Sequence, residues 1–201
     1  MDLPDVSRPR VGFVGRLEPV KGLEVLLDAF ALLNTPVSLI IAGAGSERAR
    51  LQARIQLLNG QVSIVPPIRF EDMPNFLKSL DILVLPSVTI LPAHREQFGR
   101  VLVEAMAASV AVIGSSSGAI PEVIGDAGLI VPERDPAALA IAIDRLLTES
   151  DLRQAMVERG RQRVVNRFAW PVVAEQTNDL FRAAVAHRKL VRERVQQVVR
   201  A

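Results

Sequence analysis

In the stretch HREQFGRVLVEAM, residues 94–106, two carboxylates, Glu96 and Glu104, stand eight places apart. Arg100, four residues after Glu96, is within helical reach of it, whereas no basic residue follows Glu104 at three or four places. A carboxylate offers only acceptors, so it repels phosphate and suits donors such as the neighbouring hydroxyls of a ribose or a hexose. Positive charge stands in GRLEPVKG, residues 15–22, where Arg16 brings a planar fork and Lys21 a mobile point charge. That pair suits a diphosphate. Taken singly, each of these four residues reads equally well as a solvated surface charge. They make a site only if the fold gathers them.

The elements that would gather them are legible in the hydropathy pattern. Six short apolar runs, VGFV (11–14), VSLIIAG (37–43), VSIV (62–65), ILVLP (82–86), VAVIG (110–114) and GLIV (128–131), carry no alternation of polar and apolar residues. Strands covered on both faces read this way. Between them KGLEVLLDAFALL (21–33), SERARLQARIQLL (46–58), DMPNFLKSL (72–80), and the segments 99–108 and 136–147 read as amphipathic helices. The expected fold is α/β, a Rossmann-like doubly wound parallel sheet of about six strands flanked by helices. After residue 150 the strands stop, and 151–168 and 174–200 read as two C-terminal helices broken near Pro171. The expected division is a linker over 1–10, a Rossmann-like domain over 11–150, and terminal helices over 151–201.

Ligands of an open parallel sheet bind beyond the carboxyl ends of its strands, so the loops leaving the strands matter most. Gly15 turns the chain off the first strand ahead of Arg16 and Lys21. AGAGSER (42–48) follows the second strand, with Gly43 and Gly45 letting backbone approach a ligand and Ser46 placed to cap the next helix. As a dinucleotide fingerprint it is defective, because Arg48 stands where the third glycine belongs and no acid ends the following strand. The loop after the fourth strand runs to Phe98 and Gly99. There a helix begins whose first N–H groups, at Phe98, Gly99 and Arg100, are open to an anion. SSSGAIPE (115–122) adds hydroxyls and a flexible Gly118.

Together GRLEPVKG, the GAG loop, LVLPS, EQFGRVLVEAMA and SGAIPEVIGDAGLIV, in this order, resemble the nucleotide-sugar-binding, C-terminal half of a GT-B glycosyltransferase of group 1, glycosyltransferase family 4. The resemblance covers residues 10–148, and Glu96 with Glu104 matches the family's E-x7-E motif. It implies that Glu96 contacts hydroxyls of the donor sugar and Glu104 holds the ribose diol. It makes Arg16 and Lys21 the pair that grips the diphosphate and stabilises it as leaving group, so that Arg16, Lys21 and Glu96 are the catalytic set. Phe98 and Gly99 match backbone N–H donors, and 66–69 the border of the base. The implied donor-binding residues are Gly15, Gly43, Gly45, Pro66, Ile68, Gln97, Phe98, Gly99, Arg100, Val101 and Glu104. Family members mostly retain anomeric configuration without a bound metal, and this chain has no Asp-x-Asp to hold one. No cofactor is expected. The substrate would be a UDP-, GDP- or ADP-sugar, and the N-terminal acceptor-binding domain, expected before Met1 and joined through SRPR, is the missing partner. Transfer by this domain alone is not expected. A nucleotide-sugar-binding or regulatory module of the same fold, an NAD-dependent enzyme, and a sugar epimerase of the GT-B fold are the rival readings.

The chain departs from the family in two places. Ser109 and Ala111 stand where glycine and proline are usual, which predicts a looser turn there, and Ser117-Gly118 replaces a double glycine. The bulk composition narrows the classes. There is no cysteine, which excludes disulfides and thiolate metal sites, and His94 and His187 are too few for a histidine zinc site. No apolar run spans a bilayer and no signal peptide is evident, so a cytoplasmic location is expected. Residues 151–201 carry 11 Lys/Arg against 5 Asp/Glu, and the last helix has a partial apolar stripe of Leu180, Phe181, Val185 and Leu190. A basic face of that kind suits contact with the inner face of a membrane or an acidic partner domain, and nucleic acid is not expected.

Overall fold

The computed structural model describes residues 7–58, 61–90 and 95–199, with side chains as far as Arg188. The first six residues of the expected linker, His94, and the side chains of Leu190 and of the basic residues after Arg188 lie outside the described residues. The chain forms two compact units, Met1–Gln162 and Arg163–Ala201.

The first unit holds all six strands: β1 (Arg10–Val14), β2 (Ser38–Ala42), β3 (Gln61–Val65), β4 (Ile82–Leu85), β5 (Ala111–Ser115) and β6 (Leu129–Val131). They pair in the order β3-β2-β1-β4-β5-β6, and every pairing is parallel. The six apolar runs are therefore the six strands, each to within a residue or two. β2, β4 and β5 are buried along their whole length, which is why these runs show no alternation. The helices are α1 (Leu23–Ala31), α2 (Arg48–Ile55), α3 (Met73–Lys78), α4 (Arg100–Ala107), α5 (Ile120–Ile124), α6 (Pro136–Thr148) and α7 (Ser150–Arg163). They pack in two groups, α1 with α2 and α6, and α3 with α4 and α5. A sheet buried on both faces demands two such covers.

Local chemistry ends the helices where they end. Pro136 opens α6 with its missing N–H where none is needed, and the Asp135 carboxylate accepts from the Ala138 N–H at 2.9 Å. The turn after α4 is tight rather than loose. The Ser109 N–H bonds the Met106 carbonyl and the Val110 N–H the Ala105 carbonyl, at 3.1 and 3.0 Å, with Ser109 at φ 63°. This paired arrangement closes a helix best with glycine at the left-handed position, so the serine bears strain without opening the turn. The first unit runs to Gln162, and α7 packs within it. Met156 is buried, and a Cβ at Gly160 would lie 3.0 Å from the Met106 side chain.

The second unit contains a π-helical turn, Val164–Phe168, and α8, Trp170–Val199. Pro171 sits in the first turn of α8, so the break falls just ahead of it. Trp170, Leu180, Phe181 and Val185 are all exposed. Among the described residues no helix is long and apolar enough to cross a membrane.

Candidate functional site

The sheet order reverses between β1 and β4, and a crevice opens there because the loops leaving these strands turn apart. A hollow of about 330 Å³ at this point is lined by Gly15 and Arg16 from the loop after β1, Lys21 ahead of α1, Glu96 and Gly99 before α4, and Arg100, Val101 and Glu104 on α4. The four charged residues singled out by type thus share one wall-to-wall space. Val14, Leu85 and Met73 complete the lining. Sequence reasoning missed them because an apolar residue at a strand or helix end carries no signal of its own.

A second hollow of about 420 Å³ adjoins it past Gly15, Arg16 and Met73, and is lined by Ala42, Gly43, Ala44, Pro67 and Ile68. A third, about 630 Å³, lies between α3 and α4 and reaches Ile68, Met73, Arg100 and Glu104. All three meet at Met73. Ile68 is thus on the crevice, whereas Pro66 is exposed and its neighbour Pro67 takes the lining position. Gln97 and Phe98 are exposed and lie on none of these three linings.

Glu96 is buried, 8% exposed, and its Oε2 accepts from the Lys21 Nζ at 2.5 Å and the Ser87 hydroxyl at 2.9 Å. Arg100, four residues on, does not take it. Arg100 bonds Glu104 instead, at 3.0 Å, with its side chain 85% exposed. The expectation that Glu104 lacks a basic partner is corrected by the residue four places before it, since carboxylate and guanidinium meet in either order along a helix. Lys21 is correspondingly not a lone cation waiting for an anion, but half of a nearly buried pair. Arg16 is exposed and borders both the first and second hollows.

The backbone around Glu96 is held from the side away from β1, by the loop after β5. The Ala119 N–H donates to the Glu96 carbonyl at 2.9 Å, and a Cβ at Gly118 would fall 2.0 Å from that same oxygen. Gly118, at φ 53°, is what allows the loop after β5 to lie against Glu96. Gly99, at φ 76°, turns the chain into α4, with Leu85 and Leu102 each 3.0 Å from where a Cβ would sit.

Gly43 and Gly45 let the loops after β1 and β2 approach closely, and Gly43 also lines the second hollow. A Cβ at Gly43 would lie 1.9 Å from the Gly15 carbonyl oxygen, and one at Gly45 2.3 Å from that of Leu17. The loops after β1 and β2 are zipped together by the Leu17 N–H to Ala44 and the Glu47 N–H to Leu17, at 2.8 and 2.9 Å. Ser46 does not cap α2, since its hydroxyl and N–H both bind the Glu18 carboxylate. The Ser46 hydroxyl, ahead of its N–H and Arg16, holds Glu18 below the usual carboxylate range. Ser115 and Ser117, read as added donors, are buried and engaged, Ser115 with the Ser87 carbonyl and Ser117 with Thr89.

One acid of this edge was missed altogether. Glu133, in the loop after β6, accepts from the N–H and the hydroxyl of Thr89, both at 2.6 Å. Burial opposes its ionisation, but the Thr89 hydroxyl and N–H, the Ser117 hydroxyl and Arg134 outweigh it and hold the carboxyl below its usual range. The available signal was position alone, since the loop leaves a strand at its carboxyl end. Among the described residues no group of three His, Asp or Glu could hold a metal ion.

The family described as "Glycosyl transferases group 1" matches residues 3–163. D-inositol 3-phosphate glycosyltransferase of Salinispora tropica is 30% identical over 94% of this chain and 41% of its own length. The C-terminal domain of a glycosyl transferase group 1 family protein of Francisella tularensis superposes with TM-score 0.69 at 27% identity, covering 79% of this chain and 85% of that one. Anabaena HepE, solved with UDP-glucose, superposes with TM-score 0.77 over 87% of this chain and 49% of its own, at 23% identity, a likeness of fold. The chain spans less than half the length of the full-length relative.

Proposed function

The chain belongs to the group 1 glycosyl transferases, and on that premise we propose that it is the donor-binding half of such an enzyme. It takes a nucleoside diphosphate sugar into the crevice between β1 and β4. The single observation that carries this reading is the gathering of Arg16, Lys21, Glu96 and Glu104 on one hollow of about 330 Å³.

In this reading Arg16, the exposed cation at the junction of two hollows, meets the diphosphate, and the first N–H groups of α4 point their dipoles at the same charge. Negative charge grows on the leaving diphosphate as the sugar bond breaks. Groups that bind that charge more tightly than the ground state are the ones that speed transfer. Lys21 contributes here through its bond to Glu96. It holds the glutamate side chain in place at the wall of the hollow, and its own charge lies at the same wall. Glu104 sits toward the third hollow and suits the ribose diol. The base goes toward Pro67 and Ile68. Retention of configuration and metal independence belong to this proposal through the family resemblance. So does the acceptor domain, and we expect transfer only in its presence.

Calorimetric titration of the chain with UDP, GDP and ADP tests the reading. Binding of at least one, weakened by Arg16→Ala and by Glu104→Ala, is expected. No binding of any at millimolar concentration would end it. Binding unaffected by either substitution would place the nucleotide elsewhere. A non-catalytic sugar-nucleotide module would bind equally well. Adding the acceptor domain of a relative in trans and measuring sugar release separates the two.

A further inference from the structure

Thr89 stands four residues after the end of β4, in the loop that leads to Glu96. Each of its polar groups is gripped by the loop after β6. Its N–H and hydroxyl donate to the two oxygens of Glu133 at 2.6 Å each, and its carbonyl accepts from Arg134 Nη2 at 3.0 Å. Its hydroxyl also lies 3.1 Å from that of Ser117, which is fully buried. From this clasp two short routes lead to Glu96. One runs back along the chain to Ser87, whose hydroxyl bonds Glu96 Oε2. The other runs from Ser117 through Gly118, packed on the Glu96 carbonyl, to Ala119, whose N–H holds that carbonyl. Arg134 keeps its place in a left-handed conformation, φ 59°, which costs any residue with a Cβ. Strain of this kind persists where surrounding contacts over-determine it.

We propose that Glu133 and Arg134 are positioning residues that set Glu96 against the donor sugar by clasping Thr89. The inference rests on the donor-site reading above, in which Glu96 meets the sugar and other groups meet the nucleotide. Glu133 and Arg134 touch no substrate in this scheme. Their effect is confined to the part of binding that depends on Glu96. In Glu133→Leu both acceptors of the Thr89 N–H and hydroxyl are removed, so the two-point grip is lost at nearly constant volume. In Arg134→Gly the hold on the Thr89 carbonyl is lost while the backbone strain is relieved.

The test is the ratio of affinities for UDP-glucose and UDP on the full chain, by calorimetry, with the GDP and ADP pairs run in parallel. Each variant is expected to lower the ratio by about fivefold, the net weight of one ordinary hydrogen bond at the site. UDP alone should stay within about twofold. The thermal midpoint of Arg134→Gly should be held or raised, a combination that a merely structural role does not produce. An unchanged ratio in both variants, or equal losses for UDP and UDP-glucose, overturns the clasp and leaves the donor site standing. A wild-type chain that binds none of these ligands overturns the donor site and the clasp with it.

Discussion

Glu96 and Glu104 stand on one wall of the same hollow, on either side of the first turn of α4, and their surroundings are opposite. Glu96 is nearly buried, bonded to Lys21 and Ser87, with its backbone held by Gly118 and Ala119. Glu104 is 32% exposed at its side chain and pairs with an arginine that is 85% exposed. The first carboxylate is set in place before any ligand arrives. The second is tethered by a surface ion pair that a ligand can exchange at little cost. Two identical side chains in one motif thus divide into a rigid group and an adaptable one, the division that the proposed sugar and ribose roles call for.

The comparison is tested hardest by Glu96→Ala. Removing the carboxylate strands the Lys21 ammonium, whose side chain is 14% exposed. Stability should fall by about 2–3 kcal/mol in urea unfolding, the low end for a broken buried pair because the hollow admits water. Replacing both members, Lys21→Met with Glu96→Leu, should recover most of that loss while affinity for a nucleotide sugar stays low. Equal losses in the single and double variants would mean that Glu96 acts through its other contacts and not through the pair.

Glu104→Gln should do the reverse. Affinity for the nucleoside diphosphate falls about tenfold, the weight of one charge-assisted hydrogen bond, while stability stays within about 0.5 kcal/mol. A stability loss as large as that of Glu96→Ala would erase the distinction. Ser109→Gly, at the end of the helix that carries Glu104, should raise stability by about 1 kcal/mol by relieving the left-handed serine. Nucleotide affinity should not change. A change would show that this helix end governs the site. The smallest effect belongs to Arg100→Ala, expected within about 0.5 kcal/mol in thermal unfolding and vanishing at high salt.

How much of this was legible beforehand depended on whether one residue type has one use. The strands were plain because burial on both faces leaves only apolar residues, and the runs 37–43 and 110–114 are β2 and β5 almost residue for residue. That Arg16, Lys21, Glu96 and Glu104 share one edge was legible because each stands in or just past a loop that leaves the carboxyl end of a strand. Gly43 and Gly45 were ambiguous. A glycine signals close approach, and nothing local says whether a ligand or the backbone of Gly15 and Leu17 comes close. The Lys21–Glu96 bond spans 75 residues, and the Glu133 grip on Thr89 spans 44. Neither leaves a trace in spacing. Arg100 illustrates the same limit at short range, since it stood four places from both glutamates and the start of α4 at Arg100 left only Glu104 on its helix.

By itself the sequence determined the layers, the strand runs and the edge of the sheet at which charge collects, because those follow from hydrophobic period and chain order. Tertiary structure alone decided which of those charges meet, which are shielded from water and which glycines face backbone. These depend on distances between segments that the chain brings together only when the sheet closes around its core.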